Sequence, residues 1–139
     1  MTKHKHFKDI LILQSDPQEV IKVESYLEKI SKLLHLDEGQ FNKLLVATTE
    51  AVNNGIIHGN RRNLKKKVTL VCEFLNGILI ITVEDEGAGI NPAELPDPLA
   101  EENLLRENGR GIFLMRSLMN EVEFSCTKKG SAVTMKMKV

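Results

Sequence analysis

The chain has 139 residues, a length suited to a single domain spanning 1–139, and 42% of them are hydrophobic with no Trp and one Tyr, so its core must be aliphatic. Nineteen basic and nineteen acidic side chains cancel, which excludes the surplus of positive charge that sequence-independent nucleic-acid binding needs. No stretch reaches the roughly 18 apolar residues of a membrane span, and MTKHKHFKDI has no apolar signal core, so a cytoplasmic protein without membrane attachment is expected.

Phe7 to Gln14, FKDILILQ, reads as a first strand, and His4 and His6 before it read as a polar tail. SDPQEV then starts a helix: Asp16 can cap, Pro17 suits the first helical position, and Glu19 can reach back to the cap. Val20, Val23, Leu27, Ile30, Leu33 and Leu34 recur at helical spacing, and the pattern fades near Leu36. Asp37, with Gln40 three residues on, starts a second helix whose apolar stripe runs through Phe41, Leu44, Leu45, Thr48, Val52 and Ile56 towards a stop at Gly59.

RRNLKKK follows, five positive charges in seven residues, either a solvated connector or a contact for an acidic partner or phosphates. Strands are expected over Val68 to Leu75 and Ile78 to Asp85, joined by Asn76-Gly77, a two-residue hairpin signal. A long glycine- and proline-punctuated connection comes next, and its stretch over roughly 91–108 is expected to act as a lid. Gly111 to Asn120 reads as a helix; Glu121 to Thr127 and Ala132 to Val139 form a second hairpin across KKGS. Cys72 and Cys126 fall in apolar strand-like runs and are expected to be small buried thiols. The order β-α-α-β-β-lid-α-β-β implies an α/β two-layer sandwich, a mixed, mostly antiparallel sheet with helices on one face.

Three polar constellations stand out. Glu50, Asn54 and His58 sit four residues apart along the second helix and so share one edge beside its apolar stripe. They are either a fraying polar end or a site in which Asn54 offers an oxygen to a hard cation such as Mg²⁺ and Glu50 accepts a proton from a hydroxyl. In VEDEGAGI, Asp85 ends an apolar strand on the side of Leu79, Ile81 and Val83. There a carboxylate can take a hydrogen bond from an exocyclic amine, and Gly87 and Gly89 let a flat ring approach the backbone; the alternative is a plain turn. In ENGRGIFLMRSL, a glycine-rich turn at Asn108, Gly109, Arg110 and Gly111 feeds a helix start and suits phosphates. Arg106 or Arg110 could add charge there. Taken in this order, a cation ligand, a base reader and a phosphate cradle make up an ATP site.

TEAVNNGIIHGN, VEDEGAGI and GRGIFLMRSLMNEVEF together resemble the ATP-binding domain shared by gyrase B, the Hsp90 chaperones, histidine kinases and the MutL proteins, the Bergerat fold. Within it the chain is most similar to bacterial anti-sigma-factor serine/threonine kinases of the RsbW and SpoIIAB type. The resemblance implies ATP and Mg²⁺ as cofactors, Glu50 as catalytic base, Asn54 as metal ligand and Asp85 as adenine reader with Gly87, Gly89 and Ile90 beside it. It also implies Asn108, Gly109, Arg110, Gly111 and Ile112 around the phosphates, with Thr134 as a further nucleotide contact. Familiar members carry a basic lid residue near the γ-phosphate and an apolar residue between the last glycines, where this chain has Arg110; Arg106 and Arg110 both remain candidates for the lid role. The implied partners are an anti-anti-sigma protein, phosphorylated on serine or threonine, and a sigma factor, bound by a homodimer. The alternative is a catalytically silent ATP-binding module that sequesters a sigma factor or another regulator. Neither ATP-driven clamping nor histidine autophosphorylation is expected.

Overall fold

The computed structural model describes residues 6–87, 107–127 and 129–139, with the side chains of 107–109 and 127 left out. Gly89, Ile90, Arg106 and all but the last two residues of the expected lid lie outside the described residues.

Strand β1 (Phe7–Gln14) leads through a short 3-10 turn (Pro17–Glu19) into helix α1 (Val20–Leu34). The Asp16 carboxylate accepts from the Gln18 N–H at 3.0 Å, and Glu19 reaches past the cap to accept from the Gln14 N–H at 3.0 Å. The Lys22 ammonium beside Glu19, followed by that backbone bond, holds the Glu19 carboxyl below its ordinary range. Helix α1 closes on His35 in the left-handed conformation, φ 57°. Helix α2 (Glu38–Asn53) begins with the expected reciprocal cap: the Asp37 side chain accepts from the Gln40 N–H, and the Gln40 side chain accepts from the Asp37 N–H. It does not simply stop at Gly59. Asn54–Gly59 widens into a π turn, after which the Asn60 N–H reaches the Gly55 carbonyl at 2.8 Å.

Strands β2 (Lys67–Leu75) and β3 (Ile78–Glu84) form the first hairpin, with Asn76 at φ 52° and Gly77 at φ 78°. Two positive φ values in succession make this turn match the twist of its strands. Helix α3 (Glu107–Leu118) and the hairpin of β4 (Glu121–Thr127) and β5 (Gly130–Lys138) complete the chain. The sheet order is β1-β2-β3-β5-β4, and all four pairings are antiparallel, so the mixed component expected from sequence is not found among the described strands. The reason is that β4, which follows helix α3, pairs with β5 and not with β3.

One sheet face carries Leu70, Cys72, Leu79, Ile81, Val83, Val133, Met135 and Met137, and it packs under Val23, Leu27, Leu44, Ala47, Val52 and Met115 of the helices. Each fully buried aliphatic side chain contributes roughly 1.5–3 kcal/mol. Burial, then the neighbouring Asp9 charge, pushes the Cys72 thiol up to about 12, and burial is also the main cause that raises the Tyr26 phenol. Cys126 departs from expectation: it is exposed, because β4 is an edge strand.

Asn60, only 2% exposed, pins the end of the π turn to the sheet. Its amide donates to the Ser15 hydroxyl (2.8 Å) and the Lys67 carbonyl (3.0 Å), and its carbonyl accepts from the Glu86 N–H (2.8 Å). The Ser15 hydroxyl in turn donates to the Lys66 carbonyl at 2.6 Å. This closed network fixes the chain between the helix carrying Glu50 and the strand carrying Asp85.

Candidate nucleotide cleft

The end of helix α2 and its π turn face the C-terminal end of β3, the start of β5 and helix α3. Between them lies a narrow cavity of about 70 Å³. Its walls are largely apolar, from Ala51, Val83, Ile112, Met115, Phe124 and Val133, and one acid, Asp85, sits among them. This is the side of the strand that its alternation predicts, shared with Leu79, Ile81 and Val83.

The Asp85 carboxylate is fixed from two directions. The Ser131 hydroxyl lies 2.9 and 3.1 Å from its two oxygens, and the Gly87 N–H donates to one of them at 2.9 Å. The Asp85 N–H donates to the Ser131 carbonyl at 2.9 Å, so the β3–β5 ladder continues past the end of the strand. Gly59 packs directly on this carboxylate: a Cβ there would collide with both Asp85 oxygens. A fixed acceptor at the rim of an apolar slot suits a flat heteroaromatic ring bearing an exocyclic amine.

A second cavity adjoins the first. Asn54 and His58 line both, and Glu50, Arg110 and Gly111 line the second. The three residues that step by four along the sequence therefore do reach one cleft, although the π turn intervenes between Asn54 and His58. A Cβ on Gly111 would stand 2.8 Å from Glu50 Oε2 and 3.5 Å from Asn54 Nδ2. The second turn of α3, which begins at Gly111, thus rests on the carboxylate and the amide together.

Helix α3 also corrects the sequence expectation. Asn108, Gly109, Arg110 and Gly111 are not a turn leading into a helix at Gly111; the helix already begins at Glu107, and these four residues lie in its first turns. Packing of α3 against α2 overrides the low helix propensity of Asn and Gly. Ile112 lines the Asp85 cavity, and Arg110 lines the Glu50 cavity. Thr134 is on the wrong side. Its hydroxyl faces that of Thr82 at 3.4 Å on the sheet surface away from the helices, because strand alternation puts Val133 and Met135 inward.

Ser131 and Gly59 are positions against the Asp85 carboxylate that sequence reasoning missed. Ser131 was assigned to the KKGS turn, but β5 starts at Gly130 and pairs with Thr127. Counting the antiparallel register outward from Asp85 is the signal that would have found it.

An apolar slot with a fixed carboxylate, joined through Asn54 to a second carboxylate packed on helix α3, is the arrangement of an ATP-binding domain, and comparison with known proteins agrees. The chain belongs to the histidine kinase-like ATPase domain family, whose profile matches residues 13–137. Within that class it is similar to the anti-sigma F factor of Clostridium perfringens, 34% identical over 103 residues that cover 72% of this chain and 74% of that protein. It is also similar to the anti-sigma F factor of Bacillus subtilis, 25% identical over 124 residues, 88% of this chain and 82% of that protein. Among solved structures, the RsbU and RsbW domains of a Mycobacterium tuberculosis protein superpose with a TM-score of 0.71 at 15% identity, over 95% of this chain. The chain spans 32% of that larger protein, and the likeness shows the fold.

Proposed function

We propose that the chain is an ATP-dependent serine/threonine protein kinase and anti-sigma factor of the cytoplasm, phosphorylating an anti-anti-sigma partner and holding a sigma factor. The observation that carries this reading is the contact of Gly111 with both Glu50 and Asn54, at one end of a cleft whose other end holds Asp85 and Ser131. Similarity to the anti-sigma F factors supports the class of partner.

Asp85 would accept a hydrogen bond from the exocyclic amine of adenine, and Ile112, Met115 and Val133 would supply the apolar walls for the ring. Asn54, Gly109, Gly111 and the Arg110 guanidinium would hold the phosphates at the start of α3. Mg²⁺, when bound, neutralises phosphate charge, and Asn54 is its protein ligand. Among the described residues there is no cluster of three His, Cys, Asp or Glu that could hold a metal, which fits a cation carried mainly by phosphate and water. Glu50 accepts the proton of the attacking hydroxyl. A silent sequestering module needs no carboxylate at that position.

A homodimer belongs to this reading. The edge strand β1 exposes Ile10 (53%) and Ile12 (56%) on the sheet face away from the helices, a surface suited to a second copy. The test is incubation of the protein with radiolabelled ATP, Mg²⁺ and the anti-anti-sigma domain purified from the same cell. Label on a serine or threonine of that domain is the expected result; bound nucleotide without transfer to it favours the silent module.

A further inference from the structure

The seven residues 61–67, RRNLKKK, contribute little to the cleft just described, yet they are built with care. Arg61 and Arg62 both adopt the left-handed conformation, φ 50° and 58°. Such backbone costs of order 1–3 kcal/mol per non-glycine residue and persists only where surrounding bonds over-determine it. Here they do. The Arg62 N–H donates to the Ile56 carbonyl at 2.8 Å, the Asn63 N–H to the Asn60 carbonyl at 3.0 Å, and the Lys65 N–H to the Asn63 side chain at 3.0 Å. Asn60 itself is buried and fully hydrogen-bonded.

What this framework holds out is charge. Arg61, Arg62, Lys65 and Lys67 are exposed, and among the described residues none of the five cations of the loop has a carboxylate within ion-pair distance. Leu64, in the middle of them, is 61% exposed. A solvated connector needs neither strained backbone nor an apolar residue at its crest.

We infer that residues 61–67 are a preorganised docking platform for an acidic, leucine-tolerant segment of a protein partner. Charge complementarity selects an acidic occupant. Two features select protein over nucleic acid. The groove beside the loop mixes Lys66, Lys67 and Lys129 with Glu84, Asp85 and Glu86; a polypeptide can set its acidic side chains on the lysines and neutral ones against the carboxylates, whereas a phosphate backbone is charged at every step. The chain as a whole carries no net positive charge. Leu64 supplies the apolar contact that fixes a peptide in register. The platform rests on the proposed kinase reading only for naming its occupant as a partner or substrate protein.

The experiment uses the full chain without nucleotide. A short fluorescein-labelled peptide rich in Glu and containing Leu is titrated by fluorescence anisotropy, beside its Gln-for-Glu counterpart. Arg61→Asn, Arg62→Asn and Lys65→Gln are combined in one variant; Asn tolerates the left-handed conformation, so the fold is kept. Lys29→Gln, Lys32→Gln and Lys43→Gln, distant from the loop, make a variant of equal charge. The expected result is salt-sensitive binding of the Glu peptide to the wild type and the distant variant, weakened about tenfold in the loop variant, the sum of three exposed charge contacts. Equal weakening in both variants, or equal binding of the Gln peptide, overturns the platform. Tighter binding of a single-stranded oligonucleotide or of phosphatidylserine vesicles than of the Glu peptide overturns the protein occupant. Nucleotide binding is expected to be the same in all three proteins. Peptide binding as expected, together with no label transfer in the separate ATP assay on the anti-anti-sigma domain, counts against the kinase reading and leaves the platform standing.

Discussion

The hydroxyl of Ser131 straddles the carboxylate of Asp85, 2.9 and 3.1 Å from its two oxygens, and the two residues lie 46 positions apart in the chain, one on β5 and one just past the end of β3. The acceptor proposed to read adenine is therefore aimed by another strand. Ser131→Ala should weaken nucleotide binding about tenfold, since a hydrogen bond to a charged group contributes roughly 1.5–3 kcal/mol. Ser131→Thr should restore it. Calorimetric titration with a non-hydrolysable ATP analogue reads both, and undiminished affinity in Ser131→Ala would remove Ser131 from the site.

The proposed base, Glu50, should separate chemistry from binding. Glu50→Gln keeps the shape of the side chain and removes its ability to accept a proton as a base. Phosphotransfer to the partner should fall about 10²–10⁴-fold, the usual contribution of general-base catalysis, while ATP affinity stays within about twofold. A variant that transfers phosphate at the wild-type rate shows that the base lies elsewhere.

Gly59 and Gly111 are each closed to a methyl group, but with different consequences. At Gly111 the obstacle is the end of the Glu50 side chain, which can swing aside. Gly111→Ala should thus lose transfer with little loss of stability. At Gly59 the obstacle is the Asp85 carboxylate, already held by Ser131 and Gly87. Gly59→Ala should cost about 1–3 kcal/mol, the usual range for overpacking, and weaken nucleotide binding as well. Chemical denaturation of the two variants side by side tests the contrast; equal stability losses would count against it.

Thr48 is fully buried on the inner face of α2, and among the described residues its hydroxyl has no hydrogen-bond partner. Thr48→Val replaces that hydroxyl with a methyl group of nearly the same shape. Stability should rise by about 1 kcal/mol, since an unsatisfied buried donor is removed. A melting temperature at or below that of the wild type would contradict this account of the core.

The two thiols should differ sharply. Cys126 is exposed and Cys72 buried, so a thiol reagent should label one cysteine in the native protein and both in denaturant. The raised Cys72 value also gives a sign. Below the ordinary thiol value of 9.0 its contribution to stability is fully present; from there up to about 12 the unfolded chain loses the proton first, so stability falls as pH rises. Cys72→Ala should remove that part of the alkaline slope, a change readable in denaturation curves across this window.

Much of the framework was legible in the sequence because it is written in local chemistry. Asn76-Gly77 declares its turn through two positive φ values, and the Asp37–Gln40 pair declares a helix start. The inward placement of Asp85 followed from strand alternation alone. What was not legible depends on contacts between distant segments. Helix α3 starts at Glu107 because it packs on α2, although ENGRG by itself reads as a turn. Ser131 enters the site through the register between β3 and β5, which no local pattern encodes. The π turn at Asn54–Gly59 is a slip of one residue in hydrogen bonding, and its sequence continues the helical pattern without a mark.

The strand order β1-β2-β3-β5-β4 divides the molecule into an N-terminal part ending at β3 and a C-terminal part of α3, β4 and β5, meeting along β3–β5 and α2–α3. The cleft lies on that seam. Asp85 and Ser131 sit on opposite sides of it, and so do Glu50 and Gly111. On the proposed reading a nucleotide held at both ends would act as a staple across the two parts, and occupancy would then be linked to cohesion of the whole domain. At a ligand concentration about a hundred times its dissociation constant that linkage would be worth about 2.7 kcal/mol, so nucleotide should raise the stability of the two parts together.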